Sequence, residues 1–126
     1  MSLNFPFVGD KWFLQQSLGA NTTKLRLFTN NVTPADTDTV STYTECTASG
    51  YAPISLTGGT WTYTTQGNEA DYATQTFTLT SSATVYGYYV TDSAGTTLIF
   101  SEAFSNGPYN IPANGSIAVT LHVVDD

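Results

Sequence analysis

The side chains that could do chemistry in this chain are few and scattered. The one histidine, His122, lies in the alternating segment SIAVTLHVV near the end of the sequence. No recognisable motif places a serine or cysteine nucleophile beside it, as a Ser–His or Cys–His arrangement requires. We therefore interpret His122 as a surface or interface histidine rather than as a general base.

Pairs of carboxylates are a second source of chemistry. Glu69 with Asp71, or Glu45 with Glu102, could form the two-carboxylate arrangement by which glycosidases work. A chain with ten acidic residues allows many such pairs by chance. These positions therefore do not predict an enzyme.

Metal and thiol chemistry have equally little support. Asp36 and Asp38, in the segment PADTDT, look like a fragment of a calcium loop, but the remaining oxygen ligands, the Gly and the terminal Glu are missing. We interpret the two as turn formers, with a loop Ca²⁺ site as the alternative. Cys46 is the one cysteine, and a buried, inert thiol is the more usual state of such a residue. No phosphate loop or zinc spacing occurs either, so we predict no catalytic residue, no cofactor and no metal.

Composition limits the partners. The chain has 126 residues, 40% hydrophobic and 10% charged, with a net charge of −7. That length suits one domain with a real core. The three cations, Lys11, Lys24 and Arg26, are too few to neutralise a phosphate backbone or to bind an anionic membrane surface. No apolar run approaches the roughly 18 residues of a membrane span. We expect neither a nucleic-acid partner nor a membrane.

Alternating patterns dominate the chain after residue 22. KLRLFT, WTYTT, TQTFTLTS and SIAVTLHVV alternate apolar with polar residues, as half-buried strands do. VYGYYVT and TLIFSEAF predict a hairpin that turns at Asp92–Gly95, where the glycine supplies a positive φ. Residues 30–39 and 65–71 read as polar loops. The pattern predicts seven to nine short strands in an all-β fold, an antiparallel β-sandwich of jelly-roll or immunoglobulin-like type.

The beginning of the chain differs from the rest. GDKWFLQQSLG predicts a short helix capped by Asp10 and stopped by Gly19, with Leu14 and Leu18 on one face. A strand through Trp12 and Leu14 is the alternative. Because two turns are marginal alone, the helix must pack on something. We predict an N-terminal arm or short helix over residues 1–22 and a β-sandwich domain over residues 23–126.

Aromatic residues are the main candidates for a contact surface. They could line a sugar-binding face, but aromatics also fill thin cores and anchor protein interfaces, and we favour core plus interface. In the strand VYGYYVT, Tyr86 and Tyr88 are expected on one face and Tyr89 on the other, which suits a core on one side of the strand and a partner on the other. The candidate interface residues are Phe5, Phe7, Trp12, Phe13, Tyr88 and Tyr89.

Three segments resemble proteins of tailed-bacteriophage particles. They are LRLFTNNVTPADTDTVSTYTECTASGYAPISLTG, VYGYYVTDSAGTTLIFSEAF and GPYNIPANGSIAVT. The pattern and order of these segments, from about Leu25 to Thr120, are similar to those of small virion proteins of the capsid decoration, or cement, type. The chain departs from that pattern at Cys46 and in its aromatic start, NFPFVGDKWF.

The resemblance implies a structural protein on the outer capsid surface, made in the host cytoplasm during assembly. Its expected partners are the major capsid protein or other virion proteins. Cement proteins stabilise the assembled state by binding it, and three-fold capsid positions favour a homo-oligomer such as a trimer. The alternative is a tail, neck or adhesion module that binds a host glycan or another virion protein.

Overall fold

The computed structural model describes residues 3–4 and 6–124, which fold into antiparallel sheets behind one short helix. The helix α1 spans Phe7–Leu14 and continues as a π-helical turn over Gln15–Gly19. Two 3₁₀ turns occupy Val40–Thr42 and Gly58–Thr60. The strands are β1 Thr23–Phe28, β2 Ile54–Leu56, β3 Thr62–Tyr63, β4 Glu69–Thr78, β5 Ala83–Val85, β6 Gly87–Asp92, β7 Leu98–Ala103, β8 Tyr109–Ile111 and β9 Ser116–Val124.

The strands form three antiparallel sheets. The first has four strands in the order β2-β1-β6-β7, the second has the order β3-β4-β9, and the third pairs β5 with β8. The main core contains residues of all three sheets, among them Leu25, Tyr72, Val85 and Leu121. The prediction of an all-β chain of packed antiparallel sheets is therefore confirmed.

Several strand predictions hold because side chains alternate across a pleated backbone. In β1, Leu25 and Leu27 are fully buried, whereas Lys24 and Arg26 are only partly covered. β6 and β7 form the predicted hairpin, and Gly95 in its turn has φ 76°. In β9, Val119 and Leu121 are buried on one face, with His122 exposed on the other.

The N-terminal helix forms, and the strand alternative is wrong. Its predicted cap is also wrong: α1 begins after Pro6, whose carbonyl accepts hydrogen bonds from the N–H groups of Gly9 and Asp10. Asp10 lies in the first turn, where a carboxylate suits the helix dipole. Leu14 and Leu18 are buried in the main core, so the helix shares the core of the strands. The boundary between residues 22 and 23 stays a prediction.

The polar segment 65–71 is only partly a loop, because β4 already begins at Glu69. Its first residues, Glu69 and Asp71, stand opposite Val124 and His122 of β9 in the ladder. Ala70 and Tyr72 point the other way and are buried. The segment looks like a loop because its polar residues belong to a strand whose outer face is solvated.

The predicted common face of Tyr86 and Tyr88 is wrong. β5 ends at Val85 and pairs with β8, whereas β6 starts at Gly87 and pairs with β1 and β7. The alternation is broken at Tyr86, where the chain changes pairing partners. Tyr86 packs against a small aromatic cluster with Tyr89, while Tyr88 lies in the main core.

Candidate functional site

Four large apolar side chains of α1 are exposed to solvent. Phe7 is 50% exposed, Val8 79%, Trp12 56% and Phe13 48%. The Trp12 and Phe13 rings meet edge to face, with centroids 5.2 Å apart. We call these four residues the helix face. An exposed apolar cluster of this kind is typical of a surface that contacts another macromolecule.

The helix that carries the helix face is fixed to the rest of the protein by core packing and by hydrogen bonds at its end. Leu14 and Leu18, one turn apart, bury their side chains in the main core, and each such burial contributes roughly 1.5–3 kcal/mol. The Asn21 amide donates hydrogen bonds to the carbonyls of Gln16 at 3.0 Å and Ser17 at 2.8 Å. Those carbonyls would otherwise lack partners at the helix end. The aromatic side chains are therefore presented by an anchored element.

The six candidate interface residues divide into three groups. Phe7, Trp12 and Phe13 are exposed on the helix face. Phe5 lies outside the described residues. Tyr88 and Tyr89 are buried, at 7% and 2% exposure, so neither is exposed as an interface residue within this chain. Both tyrosines are core residues because strands or loops cover each face of β6.

Tyr89 belongs to the small aromatic cluster on the other side of β6 from the main core. Its ring stacks on that of Tyr43 at 5.1 Å, and Phe28 packs against both. Burial, followed by the negative charge of Glu45, raises the pKa of Tyr89 to about 12. Burial also raises the pKa of Tyr88, whose hydroxyl donates to Glu102 Oε1 at 3.0 Å. These phenols stay protonated and serve as structural hydrogen-bond donors or packing groups.

The carboxylates of Glu45 and Glu102 each bind a different partner. Glu45 accepts two hydrogen bonds of 3.0 Å from Arg26 Nη1 and one of 2.7 Å from the Tyr51 hydroxyl. Glu102 accepts the hydrogen bond from Tyr88. Charge-assisted hydrogen bonds of this kind hold a carboxylate in one place. The Glu45 bonds join its loop to Arg26 on β1, and the Glu102 bond joins β7 to Tyr88 on β6.

The structure brings Glu69, Asp71 and His122 together on the exposed face of β4 and β9. His122 Nε2 lies 2.9 Å from Glu69 Oε1, and His122 Nδ1 is hydrogen-bonded to Asp71 Oδ1. The bonds to Asp71 and then Glu69 raise the pKa of His122. Two acceptors, one at each ring nitrogen, are best satisfied by an imidazolium with two N–H donors. Each ring nitrogen therefore already has a hydrogen-bonding partner within the chain.

Of the two loop carboxylates, Asp38 has a structural role. Asp38 Oδ2 accepts hydrogen bonds from the Ala35 N–H at 2.9 Å and from the Tyr43 hydroxyl at 2.6 Å. A cavity of about 530 Å³ lies beside Asp38 and is lined in part by Pro34, Asp36 and residues of β7. Among residues 3–4 and 6–124, no group of three or more His, Cys, Asp or Glu side chains is arranged to hold a metal ion. Cys46 is buried, as expected.

A groove between β8 and β9 lies beside the exposed ring of Tyr109. It has a volume of about 340 Å³ and is lined in part by Phe104, Tyr109, Asn110 and Ile117. The Phe104 and Tyr109 rings are 5.3 Å apart, and Tyr109 is 39% exposed. An aromatic wall beside an amide is the kind of surface that a sugar ring can contact.

No protein-family model, curated protein or solved structure matches this chain. In the part of the chain that the structure describes, no helix is long and apolar enough to cross a membrane.

Two features were not predicted as sites: the groove and the His122 cluster. Glu69 and Asp71, two residues apart, lie in a segment that the sequence predicts as a polar loop, and His122 lies on the polar face of an alternating segment. Nothing in the sequence says that these two strands are neighbours, or in which register they pair. The groove likewise depends on how β8 lies relative to β9.

Proposed function

We propose that this chain is a non-enzymatic structural protein of a tailed-phage particle, which binds the outer capsid surface and stabilises the head as a decoration protein. The observation that carries the proposal is the helix face, Phe7, Val8, Trp12 and Phe13, exposed on a helix anchored by Leu14 and Leu18. The resemblance of residues 25–120 to virion proteins supports the choice of particle.

The chemistry of the chain suits this role. Aromatic side chains on a fixed element can anchor an interface with little loss of conformational entropy. A protein that binds only the assembled shell stabilises it by mass action. The proposed partner is the major capsid protein or another virion protein, with no nucleic acid or membrane. We further propose that the sheets form a sandwich of jelly-roll or immunoglobulin-like type.

The test is co-sedimentation of the purified protein with phage heads that lack it. We expect binding in hundreds of copies per head, following the capsid lattice, since a decoration protein occupies a repeated site. Trp12→Ala should weaken binding about 30-fold if Trp12 is an interface hot spot. Ile99→Ala, which truncates an apolar side chain that is 41% exposed on β7, is the matched control and should bind normally.

Deletion of residues 1–9 tests the same surface more severely. It removes Phe7 and Val8 and retains Leu14 and Leu18, so we expect a folded β-domain that no longer binds heads. Circular dichroism checks the fold. If the truncated protein still saturates the particles, the N-terminal contact is wrong. Binding of the intact protein in only a few copies would place it at the neck or tail.

The Phe104–Tyr109 groove favours a second candidate function, a tail or adhesion module that binds a host glycan. Its aromatic rings and the Asn110 amide offer stacking and hydrogen bonding to one sugar. A glycan array distinguishes the two functions. Binding to a glycan that Tyr109→Ala abolishes, together with no binding to heads, would favour the second candidate.

A further inference from the structure

β9 is a long edge strand, with β8 across a groove from its first residues. β9 has nine residues, Ser116–Val124, and lies at the end of the sheet β3-β4-β9. Among residues 3–4 and 6–124, β4 is the one strand that pairs with it. Its other side therefore presents backbone N–H and C=O groups that can pair with a further strand.

Other sheet edges are protected in the usual ways. β2 has three residues and β3 has two, which is too short to template an added strand. β7 has an irregular register beside β6 and carries Glu102. β9 contains no proline, no lysine and no inserted residue of its own, since the extra residue of the β4–β9 bulge is on β4 between Tyr72 and Gln75. These are the devices that normally discourage edge pairing.

We propose that two copies of this chain pair through β9, antiparallel about a two-fold axis beside Thr120, so that their three-stranded sheets join into one continuous sheet. Such a pairing is isologous, because the same strand serves as the surface on both copies. The inference is independent of the capsid proposal and concerns the protein alone.

The side chains of β9 are complementary to themselves in this register. On the inner face, Ile117 stands opposite Val123 of the partner subunit, and Val119 opposite Leu121 of the partner subunit. Ile117 and Val123 are only half-buried in one chain, so pairing covers apolar surface at both ends of the row. Cross-strand aliphatic pairs of this kind stabilise antiparallel sheets.

Charge selects the same register. In the register centred on Thr120, His122 stands opposite Ala118 of the partner subunit. All nine residues of the strand are then paired. A shift that centres the pair on His122 would bring the two clusters of Glu69, Asp71 and His122, each with more carboxylates than histidines, next to one another and would leave residues 116–119 unpaired. Like charges directly opposite destabilise a strand pair. A second copy therefore fits this edge without a charge conflict in the full-length register.

The pair differs from the trimer that the resemblance implies, and molecular mass separates them. We expect sedimentation equilibrium of the intact protein to give twice the chain mass of 13.5 kDa. Thr120 is exposed on the outer face, at the axis, so Thr120→Lys or Thr120→Glu places two like charges opposite each other. Each variant alone should dissociate at least about tenfold more readily.

An equal mixture of the Thr120→Lys and Thr120→Glu variants should recover the dimer, because unlike charges then meet at the axis. Both variants lose the same 2.6 Å hydrogen bond between the Thr120 and Thr74 hydroxyls, so recovery reports pairing rather than folding. Thr76→Lys is the matched control: Thr76 is exposed on the same face but lies on the inner strand β4. This control should remain dimeric.

Three results would overturn the proposal. They are a wild-type protein that is monomeric up to about 1 mM or trimeric, a Lys and Glu mixture that stays monomeric, and a Thr76→Lys variant that dissociates as much as Thr120→Lys. Because these measurements use no particles, their failure leaves capsid binding untouched. Equally, a failure to bind heads would leave the pairing of β9 standing.

Discussion

The hydroxyl of Tyr51 lies 2.7 Å from Glu45 Oε2, to which it donates a hydrogen bond, and 3.2 Å from the backbone nitrogen of Leu27, from which it accepts one. β2 pairs with β1 only as far as Leu25. Beyond that point the phenol takes the place of a strand neighbour, and Glu45 links it to Arg26 on β1. One side chain thus completes the hydrogen bonding of β1 where its neighbouring strand has ended.

Removal of that hydroxyl should destabilise the protein. Tyr51→Phe leaves the Leu27 N–H without its phenol acceptor, and an unsatisfied buried group costs about 1–3 kcal/mol. Urea unfolding measures the loss. Tyr109→Phe, on the exposed rim of the groove, is the control and should change the free energy of unfolding by less than about 0.5 kcal/mol. Equal stability of the two variants would contradict a structural role for the Tyr51 hydroxyl.

Alkaline pH should unfold the protein through its buried tyrosines. The pKa values of Tyr43, Tyr51, Tyr63, Tyr88 and Tyr89 are all raised above 10.0, with burial as the first cause. A raised folded-state pKa gives stability that is complete below the unfolded value and is lost as the pH rises towards the folded one. We expect stability to fall above pH 10.0, the ordinary tyrosine value.

Phenolate absorbance checks this expectation. In the native protein some tyrosines should ionise only as the near-ultraviolet circular dichroism is lost, whereas in denaturant all eight should titrate together. Titration of every tyrosine near pH 10.0 with the native spectrum intact would show that these phenols are not buried.

Gly87 has no space for a side chain. An added Cβ would lie 2.3 Å from the Glu102 carbonyl oxygen and 2.4 Å from Phe28 Cζ. Gly87→Ala should therefore force β6 and β7 apart and destabilise the protein by about 1–3 kcal/mol, as overpacked cores are. Gly59→Ala is the control, since nothing lies within 4 Å of its added Cβ. Thermal unfolding of both variants tests the contrast, and a tolerated Gly87→Ala would refute this close packing.

The His122 cluster should make stability depend on pH near neutrality. Asp71 and then Glu69 raise the pKa of His122 above 6.5. The imidazolium therefore adds stability that is complete below pH 6.5 and is lost as the pH rises through the raised value. His122→Gln should remove this dependence, so the difference between wild type and variant should shrink from pH 6 to about pH 9.

Nuclear magnetic resonance can follow the same group directly. As the one histidine, His122 gives a single imidazole titration, which we expect above the ordinary value of 6.5. Asp71→Asn removes the partner of Nδ1 and should lower the midpoint. A midpoint at or below the ordinary value in the wild type would show that the carboxylates do not hold the ring.

Local pattern was enough to predict much of the fold. The alternation of Leu25 and Leu27 with Lys24 and Arg26 identifies β1, because one face of the strand packs against the core and the other lies towards solvent. Asp92–Gly95 predicts its turn, because only certain residues tolerate a positive φ. Leu14 and Leu18 mark the inner side of the helix by their spacing alone. Each of these conclusions depends on residues that are close in sequence.

The sequence by itself thus determined an all-β chain with a short N-terminal helix, since propensity and periodicity are local properties. Tertiary structure alone decided that β6 is covered on both faces, which buries Tyr88 and Tyr89. It also decided that β4 extends back to Glu69, that His122 meets Glu69 and Asp71, and that β9 lies at an edge. Strand order and register depend on how distant segments pack together, and no window of neighbouring residues contains that information.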